Sequence, residues 1–262
     1  MTDWDTIAAA DFAVPAGDLA ALAGELADGL ADPDPAVRDG SAYSVLATWI
    51  SRGVLDAQLG FLGAAMAARF GDERVQARTF APLVLAWVVE RGAFDDAWVV
   101  AFADWYPAET DLRGYDAGLG WLHAVAHGAD LLGVLGRHSR VAPARMLDLA
   151  AARMLAETDF VWRDQEDDRL AYAVALTLTR PELTLAEATE WLAPVAATFA
   201  AGEAGPVPPL ASNSMRTLRA LYLLAARGVR PEPDADPLPL AHRDAVLDQL
   251  AATLALVAWY AG

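Results

Sequence analysis

The sequence predicts an all-α fold, and three observations predict it. Apolar residues recur at three- and four-residue spacing almost throughout, alanine and leucine dominate, and no run of β-branched residues alternates with polar ones as an exposed strand would. Breakers divide the chain into about eleven helical segments, expected at residues 18–32, 35–52, 56–70, 72–91, 94–105, 116–137, 143–157, 165–179, 185–200, 212–227 and 240–260. In order, segment 35–52 opens on Pro35 behind Asp34, Pro143 takes a first helical position in 143–157, and Ser212 or Asn213 caps 212–227. Most joints are short. The exceptions, residues 106–115, 202–211 and 228–239, are rich in Pro, Gly or acidic residues.

Every second helix starts near residue 35, 72, 116, 165 and 212, so the intervals are 37, 44, 49 and 47. Helical-hairpin repeats of the HEAT or armadillo kind run to ~40–47 residues. With "DPDPAVRDGSAYSVLATWI" placing Asp-Pro and Val-Arg at the head of an apolar helix, the expectation is a HEAT/armadillo-like α-α solenoid of about five hairpins. No composition shift marks a second domain, so residues 1–262 are read as one. The competing architecture is a closed bundle or α/α toroid.

Composition excludes several chemistries. There is no cysteine and no lysine; all 19 basic residues are arginine, against 36 Asp and Glu, for a net charge of -17. That removes thiol nucleophiles, disulfides, Cys-ligated metals, Schiff bases and a complete Walker A loop. No Gly-x-Ser-x-Gly elbow is present. A strongly negative surface without an arginine-rich stripe argues against nucleic-acid partners. Residues 1–5 hold two aspartates and no basic residue, unlike a secretory signal, and the apolar stretch 250–262 is shorter than the ~20 residues of a membrane span. A cytoplasmic protein with no membrane partner is expected.

The most informative segment is "RGYDAGLGWLHAVAHGADLL", residues 113–132. At ~100° per residue, Asp116, Gly120, His123, His127 and Asp130 share one face of the expected helix, within an arc of about 80°. Two histidines and two aspartates on one face suit proton transfer near neutral pH. The structural alternative is a pair of core histidines bonded to carboxylates or carbonyls. Two mechanisms fit the cluster. In one, an imidazole is general base or acid, Asp111, Asp116 or Asp130 orients it, and the other imidazole handles the opposite proton transfer. In the other, His123, His127 and Asp130 ligate a divalent metal, although Ala124 stands where a His-Glu-x-x-His motif has glutamate. No cofactor is predicted; the divalent metal is the alternative.

Other helices of the alternate set carry fainter polar groups: Arg38, Asp39 and Tyr43; Arg78; Glu166, Asp168, Arg169 and Tyr172; and Asn213, Arg216, Arg219 and Tyr222. On a concave side they would converge on one groove, although inter-repeat ion pairs and caps account for many such residues. Arg113, Arg169, Asn213, Arg216 and Arg219 are the substrate-binding candidates, with Arg216 and Arg219 foremost for an anionic group. Tyr115 and Trp121 join them as substrate-binding candidates, Trp105 and Tyr115 are the expected walls of an apolar pocket, and the joint before the histidines, with Pro107 and Gly114, is long enough to act as a lid.

The segment "ETDLRGYDAGLGWLHAVAHGADLL" resembles the signature of a bacterial domain-of-unknown-function family, number 2785, which has Arg-Gly-Tyr/Trp, then Gly-Trp-x-His-x-x-x-His and Ala-Asp. "RDGSAYSVLATWI", "ARTFAPLVLA", "EDDRLAYAV" and "NSMRTLRALYLL" resemble its other blocks in order. The resemblance implies a helical HEAT-like fold and places recurrent polar residues at Arg113, Asp116, His123, His127, Asp130, Arg169 and Arg219; it implies no activity. The residues themselves point to a small-molecule enzyme with His123 and His127 moving protons. The alternatives are a metal-dependent hydrolase on the same histidines and a non-catalytic scaffold that binds a protein partner in its groove.

Overall fold

The computed structural model describes residues 2–261 as a mostly helical chain with one two-stranded hairpin. The helices begin with α1 (Trp4–Ala9) and α2 (Leu19–Gly29), then a π-helical segment (Ala36–Tyr43), α3 (Ser44–Ser51), α4 (Leu59–Arg69), α5 (Val75–Glu90) and α6 (Asp96–Ala108). Strands β1 (Tyr115–Asp116) and β2 (Gly120–Trp121) pair antiparallel, Tyr115 opposite Trp121 and Asp116 opposite Gly120. After them come α7 (Ala124–Arg137), α8 (Pro143–Leu155), α9 (Glu166–Leu178), α10 (Leu185–Thr189), α11 (Ala193–Ala200), α12 (Pro209–Arg227) and α13 (Arg243–Ala255). No helix among the described residues is long and apolar enough to cross a membrane.

Helix starts follow side-chain chemistry. Asp18 caps α2 by accepting from the Ala20 amide at 2.9 Å, Pro143 sits in the first turn of α8, and Thr184 and Glu187 bond reciprocally at α10.

The chain divides into two compact units. One comprises the chain through Trp105 together with Asp111–Leu131; the other comprises Tyr106–Thr110 together with the chain from Leu132 onward. In the first, α4 packs on α5, α3 on α5 and α2 on the π-helical segment. Leu46, Trp49, Leu62, Met66, Phe80 and Val84 are buried there. In the second, α9 and α12 are the central pair, flanked by α8 and α13, with Leu170, Val174, Leu218, Leu221 and Leu250 buried. Within this unit Gly136, in the last turn of α7, lets that turn lie against α9, since a Cβ there would run into Thr177 Oγ1.

Several expected boundaries differ, each for a physical reason. The segment 116–137 is not one helix. The run from Tyr115 to Trp121 forms the hairpin, because Gly118 and Gly120 lower helix propensity and Gly120 takes φ +70°, and α7 begins only at Ala124. The shared helical face drawn through Asp116, Gly120 and His123 is therefore corrected. Segment 35–52 opens as a π-helix before α3, segment 185–200 is broken by a 3₁₀ turn at Glu190–Leu192, and α1 was not anticipated. At α12, Pro208 and Pro209 start the helix one turn earlier, so Ser212 and Asn213 lie inside it and do not cap it.

Candidate functional site

The hairpin is built from its own turn chemistry. Asp116 Oδ1 accepts from the amides of Gly118 at 2.8 Å and Leu119 at 2.9 Å, which closes the turn. Arg113 reaches Asp116 Oδ2 at 2.6 Å and grips both oxygens of Asp111, at 2.9 and 2.6 Å. The Arg113 guanidinium is the first cause holding the Asp111 carboxyl below its ordinary range. Asp116 is held low chiefly by the Leu119 and Gly118 amides, then by Arg113. Beyond the strands, the Leu122 amide donates to Gly114 O at 2.8 Å and the His123 amide to Arg113 O at 3.0 Å.

A second support comes from the π-helical segment. Arg38, fully buried, donates through Nη2 to Leu119 O at 2.6 Å and Trp121 O at 3.3 Å, and through Nη1 to Asp32 O at 3.3 Å. Its Nε pairs with Asp39 at 2.7 Å. Even so, burial raises the Asp39 carboxyl above its usual range, with Arg38 pulling the other way. Gly120 makes the approach feasible: a Cβ there would meet Pro35 Cβ at 2.9 Å and Arg38 Nη2 at 3.3 Å.

The two histidines meet where the hairpin enters α7. His123 precedes the helix with φ +52°, and its carbonyl accepts from the His127 amide at 2.9 Å, the first helical bond. Left-handed backbone at a non-glycine residue costs ~1–2 kcal/mol and draws attention to function. Here it is a turn device as well, since Gln165 and His242 enter α9 and α13 in the same conformation. The rings of His123 and His127 lie 5.7 Å apart at 77°. His127 is buried, and its Nδ1 lies 2.9 Å from Thr79 O. A carbonyl only accepts, so Nδ1 carries the hydrogen and the lone pair of the neutral ring is on Nε2.

These imidazoles stand in the middle of a train of six rings. Tyr43 meets Phe80 at 6.1 Å and Phe80 meets His127 at 5.2 Å, both edge to face. On the other side, His123 stacks on Trp121 at 4.6 Å and 28°, and Trp121 meets Tyr115 at 5.1 Å. The train runs from buried Phe80 to half-exposed Trp121 and Tyr115, and Arg38 lies over the Phe80 ring at 4.8 Å.

Of the residues singled out from sequence, the first unit holds Asp111, Arg113, Tyr115, Asp116, Trp121, His123, His127 and Asp130. His123, His127, Trp121 and Tyr115 are in ring contact, whereas Asp111 and Asp116 bond Arg113. A backbone carbonyl, Thr79 O, orients Nδ1 of His127. Asp130 lies on α7 and is half-buried. Among the described residues no three His, Asp or Glu side chains are grouped as a metal ion would need, so His123, His127 and Asp130 do not form a three-ligand set.

Arg169, Asn213, Arg216 and Arg219 belong to the second unit. Asn213 is buried, accepts from the Trp162 amide at 2.9 Å and donates to Phe160 O at 3.1 Å. Arg216 donates to Trp162 O and lies 3.1 Å from Asp167. Both therefore anchor the loop before α9. Arg169 and Arg219 are exposed. Two clefts, about 540 Å³ near Asp5, Glu25 and Asp34 and about 360 Å³ near Phe199, Val207 and Met215, are lined by neither histidine.

Sequence reasoning gave no weight to Thr79 and Phe80, and treated Arg38 only as one of several polar residues. The available signal was weak: Arg38 follows Val37 at the head of an apolar helix beside Asp39, and the carbonyls of residues 119 and 121 that it holds are not displayed by sequence. A family profile described as a protein of unknown function matches residues 66–223. Neither curated proteins nor solved structures gave a match.

Proposed function

The chain belongs to the DUF2785 family, and within it we propose a small-molecule enzyme that uses His123 and His127 for general acid/base chemistry of the lyase, isomerase or hydrolase type. The observation that carries this reading is the imidazole pair itself, 5.7 Å between centroids, with the tautomer of His127 set by Thr79 O. In these roles Nε2 of neutral His127 takes a proton from the substrate and His123, nearer the surface, handles the opposite transfer. Trp121 and Tyr115, both exposed beside His123, supply apolar walls for the substrate. Asp111, Arg113 and Asp116 hold the hairpin that carries those rings, and Asp130 lies one turn further along α7.

We also propose that the helical hairpins stack in the HEAT manner and that the protein works in the cytoplasm. Support for the first comes from the packing of sequence neighbours α4 with α5, α8 with α9 and α12 with α13. Support for the second is the acidic, cysteine-free composition, which calls for no oxidising compartment.

Untargeted mass spectrometry tests the enzyme reading. A metabolite extract is incubated with the wild-type protein, with His123→Ala and with His127→Asn. A compound consumed by the wild type and spared by both variants is expected. Consumption by all three sinks the acid/base assignment, and consumption by none, with a stoichiometric protein partner recovered instead, replaces it with the scaffold reading. Activity abolished by chelator and restored by a divalent ion turns the mechanism to metal-assisted hydrolysis.

A further inference from the structure

His123 and Trp121 sit on a hairpin of two-residue strands, too short to fix ring positions by its own ladder. The fixing comes from elsewhere in the sequence. We propose that Arg38 is the positioning residue of the imidazole site, acting on both rings from outside residues 66–223; this rests on the reading of His123 and His127 as the reacting pair.

Three contacts carry the inference. Through Nη2, Arg38 holds Leu119 O and Trp121 O, the two carbonyls that bracket Gly120, and so sets the strand from which the Trp121 indole stacks on His123. Its guanidinium plane covers Phe80, whose ring packs edge to face with His127. The Asp39 carboxylate and Asp32 O hold the other nitrogens, so the fork cannot swing away. One planar group thus touches the neighbour of each imidazole, a geometry that a lysine ammonium, with its single point of contact, does not reproduce. The residue stands in a π-helical segment, a form found mostly as short insertions near functional sites.

A guanidinium that merely joined two segments would leave the ring arrangement unchanged when replaced by a group that still fills the space. The test reads that arrangement by NMR in the protein without any ligand. Stacking under Trp121 shifts the His123 ring-proton signal upfield. Arg38→Lys and Arg38→Met are expected to lose that shift and to exchange the Leu122 and His123 amides about tenfold faster or more, while Leu218 and Leu221 in α12 keep their protection. Methylguanidinium added to Arg38→Ala restores the shift. Parent-like His123 signals and exchange in both the Lys and Met variants overturn the proposal. The parent protein gives a second measurement that requires no variant: fast exchange of the Arg38 Nε and Nη protons also overturns it. Failure of the enzyme reading shows differently, as no metabolite consumed while the ring signature still follows Arg38.

Discussion

Replacing His127 separates its chemistry from its packing. In His127→Ala the buried Thr79 carbonyl loses its donor, a loss of about 1–3 kcal/mol. The ring also leaves its place against Phe80, and the lost apolar burial adds about 1–2 kcal/mol. The sum, about 2–5 kcal/mol, lowers Tm by roughly 5–15 °C for a domain of this size. His127→Asn behaves differently, because the asparagine amide can donate from near the position of Nδ1. It recovers the first contribution and leaves a deficit of about 1–2 kcal/mol. Thermal unfolding followed by far-UV circular dichroism measures both. Metabolite consumption should vanish in both variants, since neither retains Nε2. The reasoning fails if His127→Asn melts as low as His127→Ala, for then the Thr79 bond is not what holds the ring. It fails in its functional half if His127→Asn still turns over substrate.

Three further outcomes are expected. Asp111 and Asp116 both have lowered carboxyl pKa values, so their contribution to stability is complete above the unfolded carboxylate pKa of ~3.9 and is lost as pH falls through the lowered values. Arg113→Gln should raise the midpoint of an acid titration followed by the Trp121 indole N–H signal in NMR, and an unmoved midpoint would show that the guanidinium does not hold the hairpin. The His138 pKa is pushed down by burial and by Arg140 and Arg180. Its contribution is therefore full above ~6.5 and declines as pH falls through the lowered value, and urea titrations between pH 8 and 5 should show a shallower decline in His138→Asn. Gly136→Ala drives a methyl group into Thr177 Oγ1 and Cβ and should cost about 1–3 kcal/mol despite better helix propensity; a stabilised variant would refute the close packing of α7 on α9.

The helices were legible because their 3.6-residue apolar period is repeated over many turns, as in α5, α9 and α12. The hairpin was not. Its strands are two residues long and its signals, Gly118 and Gly120, lie inside a stretch whose leucines and alanines continue the helical period on either side. The proximity of His123 and His127 survived that error, because a residue that caps a helix still stands one turn from the fourth residue after it. What the sequence did not display were the long-range partners. Thr79 O orients His127 from 48 positions away, and Trp162 returns to Asn213 from 51 positions away, turning an expected substrate contact into a loop anchor. Pairing Arg113 with two aspartates was closer to view, since Asp111 and Asp116 lie two and three residues from it.

The π-helical segment makes chain length, as well as residue type, a requirement. A turn closed by i→i+5 bonds holds one residue more than an α-helical turn, so deleting a single residue between Ala36 and Tyr43 would regularise the coil. Every side chain on one side of the deletion would then rotate by about 100° relative to the other. Arg38 would lose its aim at the Leu119 and Trp121 carbonyls even if its codon were untouched. Relatives of this chain can accordingly be sorted by spacing alone: those one residue shorter in this stretch would keep the histidines and lack the brace behind them.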